Sequence, residues 1–315
     1  MVALPALNES YTIRDVIGNI PRDIPGIRRV DVLVVDDGST DETGALALEA
    51  GAHVVRHRST RGVGAAFHTI LGYGIEHGAD LIVTIDSDGQ FDPRDIPALI
   101  APVSTGEAEF STASRFKDPD LVPEMSLVKK WGNRMMSRLI SSLANEKFYD
   151  VSCGMRCYSR KAALQLHLIG HFTYTQEVFL NLAFKGMRMV EVPIRVRGRR
   201  EFGKSRVASN LFRYAIRTSQ IILRCYRDYF PLRFFGRISI LFALIGAVLG
   251  TFFLSNFLRT GRFSPHLWAG FVSGALFAFS LMMFHIGVIG DMMTRHRIYL
   301  EEMLYHQRSM KHRFR

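Results

Sequence analysis

Two stretches near the C-terminus constrain this chain more than any other feature. Ile238 to Leu258 runs for 21 residues without a charge, and Leu267 to Gly290 for 24, interrupted only by small polar residues and His285. At ~1.5 Å per helical residue each reaches ~30 Å, the thickness of a bilayer's hydrocarbon core. The competing reading, two buried core helices, fits the flanks less well. The connecting segment Arg259 to His266 is short and holds two arginines. The outer flanks hold Arg224, Arg227, Arg233 and Arg237 on one side, and Arg295, Arg297, Arg308, Lys311, Arg313 and Arg315 on the other. Basic flanks stay cytoplasmic. Both termini, and whatever domain precedes the spans, are therefore expected in the cytoplasm of a protein integral to an inner or plasma membrane. His285 is expected to be neutral and hydrogen-bonded across to the other span.

Charge divides the chain in the same way. Residues 1–184 carry 18 basic against 23 acidic side chains, and residues 185–315 carry 22 against 6. A basic region suits nucleic acid or an anionic lipid surface; the adjoining apolar runs select lipid and exclude nucleic acid. Within it, Val207 to Phe230, with the preceding Arg206, places Arg206, Arg213, Arg217, Arg224 and Arg227 in one helical stripe, opposite Leu211, Ala215, Ile222 and Tyr226. That pattern predicts a helix lying in the membrane interface, with packing on a soluble domain as the alternative. The opening residues MVALPALNES have neither the basic region nor the apolar core of a signal peptide, so targeting is expected from the C-terminal spans. Cys153, Cys157 and Cys225 form neither a disulfide framework nor a zinc pattern, and are expected as free thiols in a reducing compartment.

Residues 1 to about 115 alternate apolar runs with helical stretches, the pattern of an α/β parallel sheet. Val32 to Val35 and Leu81 to Ile85 are strand-like, and each runs into carboxylates. Ligands of open α/β sheets bind beyond the carboxyl ends of the strands. Helices are predicted over Thr40 to Ala50, with Asp41 and Glu42 in the first turn, and over Ser126 to Leu143; Met187 to Val196 is predicted as a strand.

The chemistry follows from those strand ends. In Thr84-Ile85-Asp86-Ser87-Asp88-Gly89-Gln90, two carboxylates spaced i, i+2 can share a hard divalent cation, Mg²⁺ or Mn²⁺, that bridges a diphosphate. The cation would neutralise charge on a departing nucleotide; an ordinary acidic turn is the plainer alternative. Asp36 and Asp37, before Gly38, can accept hydrogen bonds from a base or ribose, or can cap a turn. Pro5-Ala6-Leu7-Asn8-Glu9 closes the first strand similarly. Gly62 and Gly64 lack the third glycine of a dinucleotide fingerprint.

The strings PALNE, VDDGSTD, RGVGAAF and DSDGQ together resemble the inverting family-2 glycosyltransferases of GT-A fold. SRF at 114–116, DVSCGMRCYSR at 150–160 and EVPIRVRGRREFGKS at 191–205 are similar to the dolichyl- or polyprenyl-phosphate mannosyl- and glucosyltransferases, and the two-helix tail to their membrane-anchored members. The resemblance covers residues 1 to about 206. It implies a GT-A catalytic domain (a Rossmann-like mixed α/β sheet) over 1–206, an interfacial helix over 207–230 and an anchor over 231–315 with spans near 238–258 and 267–290. It also implies that Pro5, Leu7, Glu9, Asp36 and Asp37 line a nucleotide pocket, and that Asp86, Asp88 and Gln90 hold the metal. Arg115, Asp150 and Arg156 would meet the lipid phosphate, and Arg200 and Ser205 would close over the diphosphate. Lys129 and Lys130 fall where relatives place basic acceptor-binding residues. Asp88, Asp150, Arg115 and Arg200 form the implied catalytic set, and a homo-oligomer is implied by the related anchored enzymes and by small residues in both spans.

The implied reaction moves a hexose from GDP-mannose or UDP-glucose to polyprenyl or dolichyl phosphate. Hydroxyl acceptors need a general base, which related enzymes supply as a Glu-Asp pair; here the sequence is Gln176-Glu177. A lipid phosphate is already largely anionic at neutral pH, with a second pKa near ~6, and needs arginines to place it. Asp150 would either orient an arginine or act as a base. Transfer to another lipid such as diacylglycerol, and a non-catalytic membrane scaffold, are the alternatives.

Overall fold

The computed structural model describes residues 1–167, 174–198 and 211–310. Its centre is a seven-stranded mixed sheet of order β3-β2-β1-β4-β6-β5-β7. The strands are β1 (Val2–Ala6), β2 (Val32–Asp36), β3 (His53–Arg56), β4 (Leu81–Thr84), β5 (Phe110–Ser114), β6 (Arg156–Ser159) and β7 (Met189–Pro193). The helices are α1 (Ile13–Gly18), α2 (Thr43–Glu49), α3 (Val63–Glu76), α4 (Ile96–Ser104), α5 (Leu127–Ala144), α6 (Arg160–Gln165), α7 (Thr175–Phe184), α8 (Leu211–Tyr229), α9 (Pro231–Thr260) and α10 (Leu267–Met310). Helices cover both faces of the central strands. This is why β2 is buried at every position and reads as an unbroken apolar run before Asp36.

Strand directions decide which loops share an edge. β1, β2, β3 and β4 run parallel, and so do β5 and β7. β6 runs antiparallel to both β4 and β5, pairing Thr84 and Thr112 with Arg156. The sheet is therefore mixed, as the resemblance implied; the strands of the opening third all run one way, and β6 alone reverses. The loop entering β6 lands beside the turns leaving β1, β2, β4, β5 and β7. Strand order reverses at β1/β4, the kind of switch point that opens a crevice.

Helix ends differ from the sequence reading in instructive ways. α2 begins at Thr43, and Asp41 precedes it: its carboxylate accepts from the Thr43 amide at 3.1 Å. β7 is shorter than the predicted strand and ends at Pro193. Behind the sheet, Phe67 stacks on Tyr174 with ring centroids 4.0 Å apart, and Tyr158, Phe110 and Phe179 continue the cluster. All three cysteines are buried and none forms a disulfide.

Contacts divide the chain into two units, Met1–Ile222 with Tyr305–Arg315, and Leu223–Leu304. The second unit is dominated by α9 and α10. They are 30 and 44 residues long, both extending beyond the uncharged runs. Each is long and apolar enough to cross a membrane, and most of its apolar stretch is not buried within the chain. Ser280 Oγ donates to the Ser239 carbonyl and Ser273 Oγ to the Gly246 carbonyl, each at 2.8 Å. A Cβ at Gly250 would lie 2.9 Å from Ser273 Oγ, and one at Gly290 2.7 Å from the Pro231 ring. These glycines thus serve packing within one hairpin. His285 corrects another expectation: its Nδ1 lies 2.8 Å from the Leu281 carbonyl of its own helix.

Phe67 tests the aromatic core. Phe67→Ala is expected to cost roughly 3–5 kcal/mol in chemical unfolding of the detergent-solubilised chain, while Leu48→Ala, at a 65%-exposed position, changes stability by less than about 0.5 kcal/mol.

Candidate functional site

Side chains and backbone stitch the strand ends into one rim. Asn8, at φ 52°, accepts from the Thr40 amide through Oδ1, and its own amide donates to Ser39 Oγ at 3.0 Å. The Glu9 amide donates to Thr43 Oγ1. Ser87 Oγ donates to the Pro5 carbonyl at 2.8 Å, and Thr12 Oγ1 to the Ser87 carbonyl at 2.6 Å. Pro5, Leu7 and Glu9 are half-buried along this rim, between the turns that follow β2 and β4. Gly38 is required at φ 80°, and a Cβ there would meet the Ser59 backbone at 2.8 Å.

Asp36 and Asp37 face inward. Asp36 has no exposed surface; its Oδ1 accepts from the Ser39 amide at 2.7 Å, and Arg56 Nε lies 3.3 Å from Oδ2. Asp37 is 2.7 Å from His57 Nδ1 and accepts from the Arg61 and Gly62 amides at 2.9 and 2.7 Å. Both carboxylates brace the backbone after β2 and β3. The resemblance implied that both line a nucleotide pocket; in the structure Asp36 Oδ1 and both Asp37 oxygens take internal partners, as buried carboxylates do.

Asp86 and Asp88 follow β4 directly. Asp86 is half-buried against Gly154, where a Cβ would lie 2.4 Å from its Oδ2. Asp88 is 3% exposed, and its Oδ1 accepts from the Gln90 amide at 3.0 Å. Gln90 Nε2 donates to the Arg197 carbonyl, and the Arg197 amide donates back to the Gln90 carbonyl, both at 3.0 Å. Gln90 thereby ties the acidic turn to the segment after β7. Among the described residues no group of three His, Cys, Asp or Glu side chains converges. Two carboxylates with an amide are nonetheless a fitting half-site for Mg²⁺ or Mn²⁺, which take the rest of their oxygens from substrate phosphates and water. Gly154 supplies the room: its bare Cα is the floor under Asp86.

Across the rim, Arg115 leaves β5 and meets Asp150. Its Nε donates to Oδ2 at 2.6 Å and its terminal nitrogen to Oδ1 at 2.9 Å, a two-pronged pair, and its own amide adds a third bond at 3.2 Å. Burial opposes the guanidinium's charge; Asp150 more than offsets this and raises its pKa, with Asp86 contributing in the same direction. Asp150 also accepts from the Ser152 amide at 3.1 Å. Below it, Glu191 of β7 accepts from the Tyr149 and Asp150 amides at 2.8 and 2.7 Å. Burial pushes the Glu191 carboxyl up from its ordinary value. The sequence reading missed Glu191; the only available signal was a carboxylate inside an apolar strand.

Arg156 is a correction. Its side chain has no exposed surface. Nε donates to Cys153 O at 2.8 Å, and the terminal nitrogens to Thr175 O at 3.0 Å and Val151 O at 3.2 Å. The rings of Phe110, Tyr174 and Phe179 surround it at 5.9, 5.6 and 5.1 Å. A guanidinium so enclosed holds up the loop entering β6. Gln176 and Glu177 are buried at the start of α7, with Gln176 Nε2 reaching Ser152 Oγ at 3.5 Å. Lys129 is exposed and Lys130 half-buried on α5. Arg200 and Ser205 lie outside the described residues.

The chain matches the profile described as glycosyl transferase family 2 over residues 1–166. It is 31% identical to glycosyltransferase AglJ of Haloferax volcanii over 305 residues, 94% of each chain. It is 29% identical to polyprenol monophosphomannose synthase of Mycolicibacterium smegmatis over 234 residues, 69% of this chain and 83% of that one. Among solved structures, glucosyl-3-phosphoglycerate synthase of Mycobacterium tuberculosis, crystallised with Mn²⁺, UDP-glucose and phosphoglyceric acid, superposes with a TM-score of 0.55. That match has 24% identity and covers 72% of this chain and 78% of the other.

The Arg115–Asp150 pair generates a thermodynamic cycle. Asp150→Ala strands a buried guanidinium and should cost roughly 3–5 kcal/mol. Combined with Arg115→Met the loss should fall well short of the sum of the two single variants. Strict additivity in chemical unfolding would show that the two groups are not coupled.

Proposed function

Because the chain belongs to glycosyl transferase family 2, we propose that it transfers a hexose from a nucleotide-sugar, GDP-mannose or UDP-glucose, to the phosphate of a polyprenyl or dolichyl lipid, with inversion. The observation that carries this reading is the two-pronged Arg115–Asp150 pair on the same sheet edge as Asp86 and Asp88. An arginine locked in this way is suited to placing an anion. Asp150 spends its oxygens on Arg115 and backbone amides, so its role is to orient Arg115 and not to take a proton.

Asp86, Asp88 and Gln90 would hold Mg²⁺ or Mn²⁺, which when bound supplies positive charge to the diphosphate leaving group. Arg115 holds the acceptor phosphate near the anomeric carbon. A phosphate oxygen forms the new bond to that carbon on the face opposite the diphosphate, the old C–O bond breaks, and the nucleoside diphosphate departs with the electron pair. A dianionic acceptor has no proton to lose, so no general base is needed. Arg200 and Ser205 belong to the proposal as groups closing over the diphosphate.

The surface fits a lipid-borne acceptor. α5 contains Lys129, Lys130, Arg134 and Arg138 and no carboxylate. It exposes Leu127, Val128, Trp131, Met135 and Leu139, at 83, 64, 65, 49 and 42%. Its inner side is fastened beside the site, with Ser137 Oγ donating to the Tyr149 carbonyl at 3.0 Å. Basic and apolar groups on one exposed helix suit an anionic lipid surface. The remaining parts of the proposal are an interfacial helix at 207–230, an anchor at 231–315 and a cytoplasm-facing catalytic domain, the last drawn from the arginine-rich flanks.

The test supplies radiolabelled nucleotide-sugar to the full chain, with polyprenyl phosphate or diacylglycerol in parallel. Label is expected only in the polyprenyl phosphate. Asp88→Ala should lower the rate roughly 100- to 1000-fold, the scale of losing a group that stabilises charge in the transition state, with its melting transition unchanged. Label in diacylglycerol, or full activity of Asp88→Ala, would overturn the assignment.

A further inference from the structure

Gly154 draws attention because its backbone does not explain it: its φ is not positive. Space explains it instead. A Cβ at this position would lie 2.4 Å from Asp86 Oδ2, 2.7 Å from Oδ1 and 2.8 Å from Cγ. The Asp86 carboxylate therefore rests on the bare Cα of residue 154, and any side chain there must push it away. The contact is held from both sides. Thr84 Oγ1, two residues before Asp86, donates to the Gly154 carbonyl at 3.1 Å. Behind, Arg156 grips the carbonyls of Val151 and Cys153 within the same loop and the carbonyl of Thr175 outside it.

We propose that Gly154 is a positioning residue for the cation half-site: its missing side chain sets the place of the Asp86 carboxylate, and Arg156 is the buried strut that fixes Gly154 there. One loop then serves both halves of the site. Residue 150 orients Arg115, residue 154 seats Asp86, and Arg156 holds the intervening backbone. Groups that orient a ligand without touching the metal commonly change metal affinity about 10- to 100-fold, and that is the effect expected here. The inference rests on the reading of Asp86 and Asp88 as the cation half-site.

The test measures Mn²⁺ binding to the full chain by electron paramagnetic resonance with saturating UDP or GDP, which needs no turnover. Wild type is expected to bind one Mn²⁺, and Gly154→Ala to bind it about 10- to 100-fold more weakly. It should also show a raised KM for the nucleotide-sugar at limiting Mn²⁺ that excess Mn²⁺ partly restores. If wild type itself binds no Mn²⁺ with either nucleotide, the half-site reading fails and this inference with it. If wild type binds and Gly154→Ala binds equally well, only the inference fails. Should Gly154→Ala melt early, the Gly154→Ala/Asp86→Ala double variant decides: recovery of the melting temperature shows that the clash is with the carboxylate, and no recovery overturns the proposal.

Discussion

One reversed strand governs this architecture. β6 lies antiparallel between β4 and β5, so the loop that precedes it is delivered to the same edge where the other strands end. A wholly parallel sheet would have carried residues 150–155 to the opposite edge, far from Asp86, Asp88 and Arg115. With β6 reversed, acidic and basic groups share one rim, close enough for Asp86 to raise the Arg115 pKa. The acidic side can face a cation and the basic side an anion.

Holding that rim requires buried charge, and the protein satisfies it group by group. Arg156 has three carbonyls and three aromatic faces around its guanidinium. Asp150 has Arg115 and two backbone amides, and Glu191 has two amides of its own. Buried ions in such numbers contribute little net stability compared with apolar residues of similar volume. Their geometry is the gain: each fixes a loop that would otherwise be free to shift. Rigid supports of this kind are what a transferase needs, since rate depends on reacting atoms already being in line.

Much of this was legible in the residues alone. The strand ends at Asp36 and Asp86, the helix at α5 and the two apolar helices all follow from periodicity and charge. Proximity in the sequence to a strand end was a good guide to position on the functional edge. It was a poor guide to which way a side chain points. Asp36, Asp37 and Arg156 carry the right chemistry at the right edge, yet they turn inward, because backbone amides and carbonyls nearby needed partners that no one-dimensional pattern displays. Gly154 and Glu191 escaped for the opposite reason: a glycine in a loop and a carboxylate in a strand acquire meaning only when Asp86 and the Asp150 amide are brought against them. His285 bonding along its own helix is a further case, since helix pairing was visible but the facing residues were not.

The central claim is that a nucleoside diphosphate binds at the rim through a cation held by Asp86 and Asp88. Calorimetric titration of GDP and of UDP into the purified full chain, with Mn²⁺ and again with a chelator, addresses it most directly. Saturable binding of one of the two nucleotides, lost when the cation is removed, is the predicted result. Binding that is indifferent to the chelator, or none with either nucleotide, would contradict it.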